Sequence, residues 1–215
     1  MTIDCDEGRR VVTRPPFIAL TGGIGAGKST ALACLGRLGA AVISSDVIVH
    51  RLYAEPEIVT AVSEHFGPAV APQGVVDRGQ LASLAFATEA GREWLEQLLW
   101  PLVGARITSW RAEQEQLTPP PRALVVESPL LFEAGLQQAY DATIAVIAPE
   151  RVRDQRATAR GHRAVAERTA RQLSQQQKAA LATYTVVNDG DLQALEQKLS
   201  SLLALLEAGP APADQ

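Results

Sequence analysis

The sequence has little cysteine, little net charge and no long apolar run at its start. Its 215 residues include two cysteines, Cys5 and Cys34, which lie too far apart to suggest a metal pair or a disulfide framework, so a reducing compartment fits best. The N-terminal stretch MTIDCDEGRR is polar and charged, which argues against a signal peptide and a membrane span. A net charge of −4 gives no reason to expect broad binding to nucleic acid or to a membrane surface. We therefore expect a soluble, cytoplasmic protein.

The composition is otherwise that of a globular protein. Hydrophobic residues make up 47% and charged residues 20%, which argues against wholesale disorder, and the length allows a sizeable core. We find no internal repeat. We expect a single domain over residues 15–206, beginning at the pair Pro15-Pro16, with a flexible arm before it (residues 1–14) and a flexible tail after it (residues 207–215).

The start of this domain has the pattern of a strand, a helix and a second strand. The short apolar run FIALT predicts a buried strand. The stretch KSTALACLGRLG carries apolar residues at helical spacing and ends at Gly39, a plausible C-terminal cap. The run AAVISSD predicts the next strand. A strand, helix and strand within about thirty residues form one βαβ unit, so a parallel sheet is implied.

The rest of the chain alternates a helical block with further strands. Residues 47–115 are helical in pattern, with predicted interruptions at Glu55-Pro56, at residues 67–74 and at Pro101. The prolines of TPPPR mark a linker, and ALVVE, DATIAVIA and TYTVV each predict a strand. Residues 150–182 are rich in Arg, Gln and Ala and predict exposed helix, and LQALEQKLSSLLALLE predicts a closing amphipathic helix.

The stretch TGGIGAGKST satisfies the phosphate-loop pattern G-x-x-x-x-G-K-[ST] and lies between a predicted strand and a predicted helix. Glycines let successive N–H groups turn toward phosphate oxygens, and the following helix points its positive end at the same anion. The alternative is a glycine turn that only joins a strand to a helix. We predict that the loop binds a nucleoside triphosphate through Gly22, Gly25, Ala26, Gly27, Lys28, Ser29 and Thr30.

Three of these residues have a predicted chemical role. Lys28 is expected to reach the β and γ phosphates, Ser29 to hold Mg²⁺ through its hydroxyl, and Thr30 to donate near the α phosphate. Phosphate loops serve switches, motors, transporters and kinases alike. The chain has no N-K-x-D stretch, which argues against a guanine-specific switch, and it is small for a motor. A helical insertion and an arginine-rich segment favour phosphoryl transfer to a small acceptor.

A kinase also needs a carboxylate for the acceptor hydroxyl and cations for the moving phosphoryl group. Asp46 ends the second predicted strand, beside the phosphate loop, although it is equally placed to cap the helix that follows. Arg153, Arg156 and Arg160 share one helical face, where two of them could converge on phosphates or simply remain solvated. Glu127 ends ALVVE and is a candidate to order Mg²⁺ through water, or to cap a helix.

The three histidines, His50, His65 and His162, show no ligand spacing and are predicted to be surface or packing residues.

Together these segments resemble the dephospho-coenzyme A kinase family from residue 17 to residue 206. Besides the loop LTGGIGAGKST, the resemblance rests on the order and spacing of HFGPAVAPQGVVDRGQLASLAFA, WLEQLLWPLV, VVESPLLFEAGL, RDQRATARG and VVNDGD. The family phosphorylates the ribose 3′-hydroxyl of dephospho-CoA with ATP, the last step of coenzyme A biosynthesis. The resemblance implies a three-layer α/β phosphate-loop kinase fold with a parallel sheet, a helical acceptor subdomain at residues 48–116 and a helical lid at residues 151–180.

The resemblance also assigns roles. Asp46 falls at the family's presumed catalytic aspartate, and Lys28, Arg156 and Arg160 are expected to offset charge on the transferred group, with ATP and Mg²⁺ bound at the phosphate loop. No nucleic-acid or membrane partner is implied, and the oligomeric state stays open, with a monomer plausible. Two alternatives remain: a kinase of another small acceptor such as a nucleoside monophosphate, and a non-catalytic nucleotide-binding regulator.

Three positions depart from the family pattern. Ser44 stands where an aspartate is common, Trp100 where the family has a histidine before Pro101, and Glu127 where an aspartate is more frequent.

Overall fold

A five-stranded parallel sheet organises residues 14–153 and 172–208, the part of the chain that this computed structural model describes. Every neighbouring pair of strands is parallel, and the strands lie in the order β2-β3-β1-β4-β5. Their bounds are β1 Phe17–Gly22, β2 Ala41–Ser44, β3 Leu124–Glu127, β4 Ala142–Ile147 and β5 Tyr184–Val187. The four apolar runs that predicted strands after FIALT are therefore confirmed.

Helices cover both faces of the sheet. Their bounds are α1 Lys28–Arg37, α2 Ser45–Leu52, α3 Pro56–Phe66, α4 Arg78–Ala85, α5 Glu89–Glu115, α6 Gln175–Leu181 and α7 Leu192–Ala208. Short 3₁₀ turns span Pro68–Val70, Pro72–Gly74 and Leu136–Ala139. Within the described residues, no helix is both long enough and apolar enough to cross a membrane.

Strand side chains alternate between the two faces, as a pleated strand requires. On one face, Ile18 and Val125 pack with buried residues of α1 and α7. On the other, Phe17 and Val126 pack against Trp110 of α5. The predicted three-layer α/β fold with a parallel sheet is confirmed.

The helical insertion expected between the second and third strands is present. Helices α2 to α5 bury an apolar cluster of their own, distinct from the two clusters that lie on the sheet. Leu52, Val62 and Leu81 are almost completely buried in this cluster. The insertion is thus a packed helical subdomain rather than a long loop.

Helix α1 ends where the sequence predicts. Gly39 has φ +96°, a conformation that glycine adopts without strain. The Gly39 N–H donates to the Gly36 carbonyl at 3.1 Å, and the Ala40 N–H donates to the Leu35 carbonyl at 3.0 Å. These two bonds form a Schellman motif, so the Gly39 cap is confirmed.

Two sequence predictions about helices were wrong. Pro101 does not interrupt a helix, since α5 runs through it. A proline removes one N–H donor, and packing of Leu95, Leu99 and Val103 into the helical cluster holds both sides of α5 in place. Residues 154–171, most of the stretch predicted as exposed helix and as the lid at residues 151–180, lie outside the described residues. In the remainder, residues 172–174 are not helical and Lys178 of α6 is completely buried, contrary to the prediction.

Candidate active site

Two glycines shape the phosphate loop that joins β1 to α1. Gly22 has φ +150°, and a Cβ there would lie 2.2 Å from the Val146 carbonyl oxygen, so only glycine lets β1 approach β4 this closely. Gly27 has φ +95° and occupies the N-cap position of α1 without a side-chain cap. Backbone N–H groups at such a helix start favour an anion, which is what the sequence pattern predicts.

Two distant side chains hold the loop from outside. Asn188, which follows β5 and is 3% exposed, donates from Nδ2 to the Ala26 carbonyl at 2.8 Å. Arg153 donates from Nε to the Ile24 carbonyl at 2.9 Å. Neither contact was foreseen, because each joins residues more than a hundred positions apart. Because these two carbonyls are held in place, the loop keeps one conformation and loses less conformational entropy when a phosphate binds.

The predicted phosphate ligands lie together at the start of α1. The Lys28 ammonium donates to the carbonyls of Gly22 at 3.1 Å and Gly23 at 3.2 Å, so the lysine curls back over the loop. Ser29 and Thr30 are exposed in the first turn of α1. Lys28, Ser29 and Thr30 therefore all lie in the first turn of α1, and their binding of phosphate stays a prediction.

Asp46 lies at the carboxyl edge of the sheet, in the first turn of α2. It is exposed, and the N-cap of α2 is Ser44 rather than Asp46. The alternative in which Asp46 serves as the helix cap is therefore wrong. In parallel α/β sheets, ligands bind outside the carboxyl ends of the strands, which is where this carboxylate is placed.

Ser44 and Glu127, two of the three departures from the family pattern, contact each other. The Ser44 hydroxyl donates to Glu127 Oε2 at 2.7 Å, and Glu127 is 7% exposed. Glu127 ends β3, next to the strand that leads into the phosphate loop. The sequence marks both positions individually, and only the sheet brings them together.

The helical subdomain carries polar and aromatic groups from the segments HFG and DRG. His65 stacks on Trp94 with ring centroids 3.9 Å apart and an angle of 8°, and Phe66 meets Trp94 edge-on. Arg78 contacts His50 Nδ1 at 3.2 Å. The prediction that His50 and His65 are surface or packing residues agrees with these contacts.

Tyr53, the residue at the C-terminal cap of α2, lies near Arg78. Burial raises the pKa of the Tyr53 hydroxyl to about 12, and the nearby Arg78 charge lowers it only in part. Tyr53 therefore stays neutral at physiological pH, and Arg78 is exposed at the start of α4. Trp100, the third departure, lies on α5 with 44% of its surface exposed.

A buried lysine organises the segment VVESPLLFEAGL. Lys178 of α6 forms an ion pair with Glu133 at 2.9 Å and donates to the Pro129 carbonyl. Glu133 also accepts a hydrogen bond from the Leu173 N–H at 2.8 Å. The sequence did not predict the burial of Lys178, because the glutamines and alanines around it are typical of an exposed helix.

The predicted cations Arg156 and Arg160 lie outside the described residues, as does His162. Among the residues that are described, no cluster of three His, Cys, Asp or Glu side chains could hold a metal ion by itself. A magnesium ion in a nucleotide site takes most of its ligands from phosphates and water rather than from such a cluster.

Comparison with known proteins gives a consistent result along the chain. The family model described as dephospho-CoA kinase matches residues 16–194. A dephospho-CoA kinase of Deinococcus radiodurans is 37% identical over 198 residues, covering 91% of this chain and 94% of that protein.

Solved structures agree. A crystal structure from Thermus thermophilus is similar with a TM-score of 0.75 and 31% identity, covering 90% of this chain and 99% of that chain. A dephospho-CoA kinase from Campylobacter jejuni has a TM-score of 0.59 at 21% identity, covering 91% and 99%, and shows the same fold. The match of residues 16–194 and the 37% identity to a relative covered almost end to end place this chain in the dephospho-CoA kinase family.

Proposed function

We propose that this protein transfers the γ-phosphoryl group of ATP to the ribose 3′-hydroxyl of dephospho-CoA, giving coenzyme A and ADP. The observation that carries the proposal is the arrangement of a phosphate loop and a carboxylate in the first turn of α2, at the carboxyl edge of the sheet, within the family-matched residues 16–194. A regulator that only binds nucleotide would not need Asp46 at that edge of the sheet.

The phosphate loop is the ATP site in this proposal. Its backbone N–H groups and the Lys28 ammonium bind the phosphates, and Lys28 leaves the carbonyls of Gly22 and Gly23 to do so. Thr30 donates near the α phosphate. The contacts of Asn188 and Arg153 keep the loop in shape while Lys28 changes partners.

The residues at this site fit a magnesium ion. The Ser29 hydroxyl and the Glu127 carboxylate are hard oxygen donors, the type that Mg²⁺ prefers, and no thiol or imidazole competes among the described residues of the loop. In our proposal the Ser29 hydroxyl would bind the ion directly, and the Glu127 carboxylate would hold it through water. When bound, Mg²⁺ offsets negative charge on the phosphates during transfer.

The chemical step uses Asp46 as the base. The Asp46 carboxylate orients the 3′-hydroxyl and accepts its proton as the ribose oxygen forms a bond to the γ phosphorus. The bond from that phosphorus to the bridging oxygen of ADP breaks, and ADP leaves with the electron pair. Lys28 offsets the charge on the transferred group, and we assign the same role to Arg156 and Arg160.

The helical subdomain is the proposed acceptor side. Dephospho-CoA is an anionic nucleotide with an adenine ring, so it needs cations and stacking surfaces. Arg78 supplies a cation beside α2, the helix that carries Asp46. Trp100, which is exposed on α5, supplies a stacking surface where the family has a histidine.

The proposal is tested by ADP release from Mg·ATP with and without dephospho-CoA. We expect acceptor-dependent turnover in the wild type and a loss of at least about 100-fold in both Asp46→Asn and Lys28→Ala. Glu57→Gln, which neutralises an exposed carboxylate in the first turn of α3, is the control and should retain full activity.

Two outcomes would contradict the proposed activity, and a third would contradict only the role of Asp46. Tight ATP binding without acceptor-dependent ADP would indicate a nucleotide-binding regulator. Turnover with nucleoside monophosphates but not with dephospho-CoA would indicate a kinase of a different acceptor. Retained activity in Asp46→Asn alone would remove Asp46 from the step.

A further inference from the structure

Ser44 and Glu127 are direct partners across two neighbouring strands. Each is the last residue of its strand, and the parallel register pairs them residue against residue. The Ser44 hydroxyl donates to Glu127 Oε2 at 2.7 Å. A carboxylate that is 7% exposed therefore has a hydroxyl donor at a distance typical of a charge-assisted bond.

The alternation of side chains shows which face of the sheet this pair occupies. Val42 and Val125, two positions earlier on the same strands, pack into the cluster that α1 covers. Because residues i and i+2 of a strand share a face, Ser44 and Glu127 point to the α1 side. Helix α1 starts at Lys28, at the carboxyl edge of the sheet where β2 and β3 end.

The Ser44 hydroxyl also gives up the contact that its position normally provides. Ser44 is the N-cap of α2, where serine usually accepts a hydrogen bond from the backbone of the first turn. Here no side-chain cap bond forms, and the hydroxyl donates to Glu127 instead. The local helix therefore forgoes a stabilising contact, while the long glutamate chain gains a fixed orientation.

We propose that Ser44 is a positioning residue that holds the Glu127 carboxylate toward the metal of the bound Mg·nucleotide. This inference rests on two parts of the proposed function, that the loop binds a magnesium nucleotide and that Glu127 binds the magnesium through water. The two departures then act as one unit, because the longer glutamate reaches across to the serine and the serine supplies the donor. An aspartate at position 44 would instead place a like charge beside Glu127.

The Ser44–Glu127 pair is tested by calorimetric measurement of ADP binding. The affinity is measured over a range of Mg²⁺ concentrations and again with the metal removed by EDTA. In Ser44→Ala we expect the Mg²⁺ concentration for half-maximal enhancement of ADP binding to rise about 10-fold, as for other residues that orient a metal ligand. Affinity for ADP in EDTA should stay within about twofold, since the pair does not contact the phosphates in our proposal. Ser44→Thr keeps the hydroxyl, so its Mg²⁺ requirement should stay close to that of the wild type.

Glu127→Gln provides the second arm. It should shift the Mg²⁺ requirement at least as far as Ser44→Ala, and the double variant should add nothing to Glu127→Gln, because Ser44 acts only through that carboxylate. An unchanged Mg²⁺ requirement in Ser44→Ala, or an equal loss of ADP affinity in EDTA, would overturn the inference. Absence of acceptor-dependent turnover alongside the expected shift would contradict the proposed function and leave this inference standing.

Discussion

At the scale of single residues, Asn188 connects the phosphate loop to the last strand. Its side-chain amide donates to the Ala26 carbonyl at 2.8 Å, and its backbone N–H donates to the Ile147 carbonyl at the end of β4 at 2.7 Å. The side chain is 3% exposed, so no bulk water replaces the amide if it is removed. Asn188 is therefore suited to hold the loop in its binding shape.

We expect Asn188→Ala to weaken ADP binding by about 10-fold, because loss of a buried hydrogen bond of about 1–3 kcal/mol loosens the loop. Calorimetric titration with Mg·ADP measures the change. Thr185→Ala, which removes an exposed hydroxyl on the same strand that contacts the Ala179 carbonyl, is the control and should bind as the wild type does. Equal affinities in the two variants would contradict a role for Asn188 in the loop.

The sequence predicted the residues of the loop but not the contacts that hold it. Glycine spacing and the lysine are local, and a local pattern is sufficient to recognise them. Asn188 and Ala26 are separated by most of the chain, and Ser44 and Glu127 by a whole subdomain. No spacing rule reaches that far, so these partners became visible only in the folded sheet.

At the scale of elements, one buried ion pair joins α6 to the loop that follows β3. Lys178 is completely buried between Glu133 and the Pro129 carbonyl, and Glu133 also holds the Leu173 N–H before α6. The ammonium thus binds one backbone carbonyl directly and holds the carboxylate that binds one backbone N–H. Removing a single partner from a buried pair leaves an uncompensated charge, which is more harmful than losing both.

We expect Lys178→Met to lower the free energy of unfolding by about 3–5 kcal/mol, because Glu133 keeps its charge without a cation. Urea denaturation monitored by circular dichroism measures this. Lys198→Met is the matched control: its ion pair with Asp189 is half exposed, so its loss should cost no more than about 1 kcal/mol. A similar cost for both lysines would show that the buried pair contributes no more than a surface one.

Helix and strand boundaries were predictable where the deciding signal was local. The Gly39 cap of α1 was read from one residue, and each buried strand from a short apolar run. Pro101 was misjudged because its effect depends on packing on both sides of α5, which overrides the local preference for a break. The burial of Lys178 likewise depends on its tertiary partners, which the local sequence does not show.

At the scale of the whole molecule, ion pairs tie distant parts of the chain to the sheet. Arg14 binds both oxygens of Asp141 at 2.8 and 2.9 Å, and the Phe17 N–H donates to the same carboxylate at 2.8 Å. Arg122 binds Glu207 near the end of α7, and this hydrogen-bonded pairing lowers the pKa of Glu207. Arg14, the last residue of the predicted flexible arm, and Glu207, the first residue of the predicted flexible tail, are thus each held by an ion pair to the rest of the fold.

The Arg14–Asp141 pair predicts a pH dependence of stability. Desolvation raises the pKa of Asp141, but hydrogen bonds from Arg14 and Phe17 outweigh it, so the pKa lies below its ordinary value. A carboxylate with a lowered folded-state pKa stabilises the fold above its unfolded pKa of about 3.9, and this contribution is lost as pH falls through the folded pKa.

We therefore expect the free energy of unfolding to fall more steeply between about pH 5 and pH 2 in the wild type than in Asp141→Asn. Urea denaturation at a series of pH values measures the two slopes. Asp191→Asn is a control, since Asp191 accepts one backbone hydrogen bond from Ala194 and forms no ion pair with any residue that the structure describes. Parallel slopes for the wild type and Asp141→Asn would contradict the assignment.

The sequence by itself determined the strands, the phosphate loop and the family, because these depend on residues close together in the chain or on motif order along it. Tertiary structure alone decided the strand order, the joining of Ser44 to Glu127 and the burial of Lys178. The physical reason is that such contacts form between residues far apart in sequence. Their energies depend on which strands become neighbours, and no short pattern records that choice.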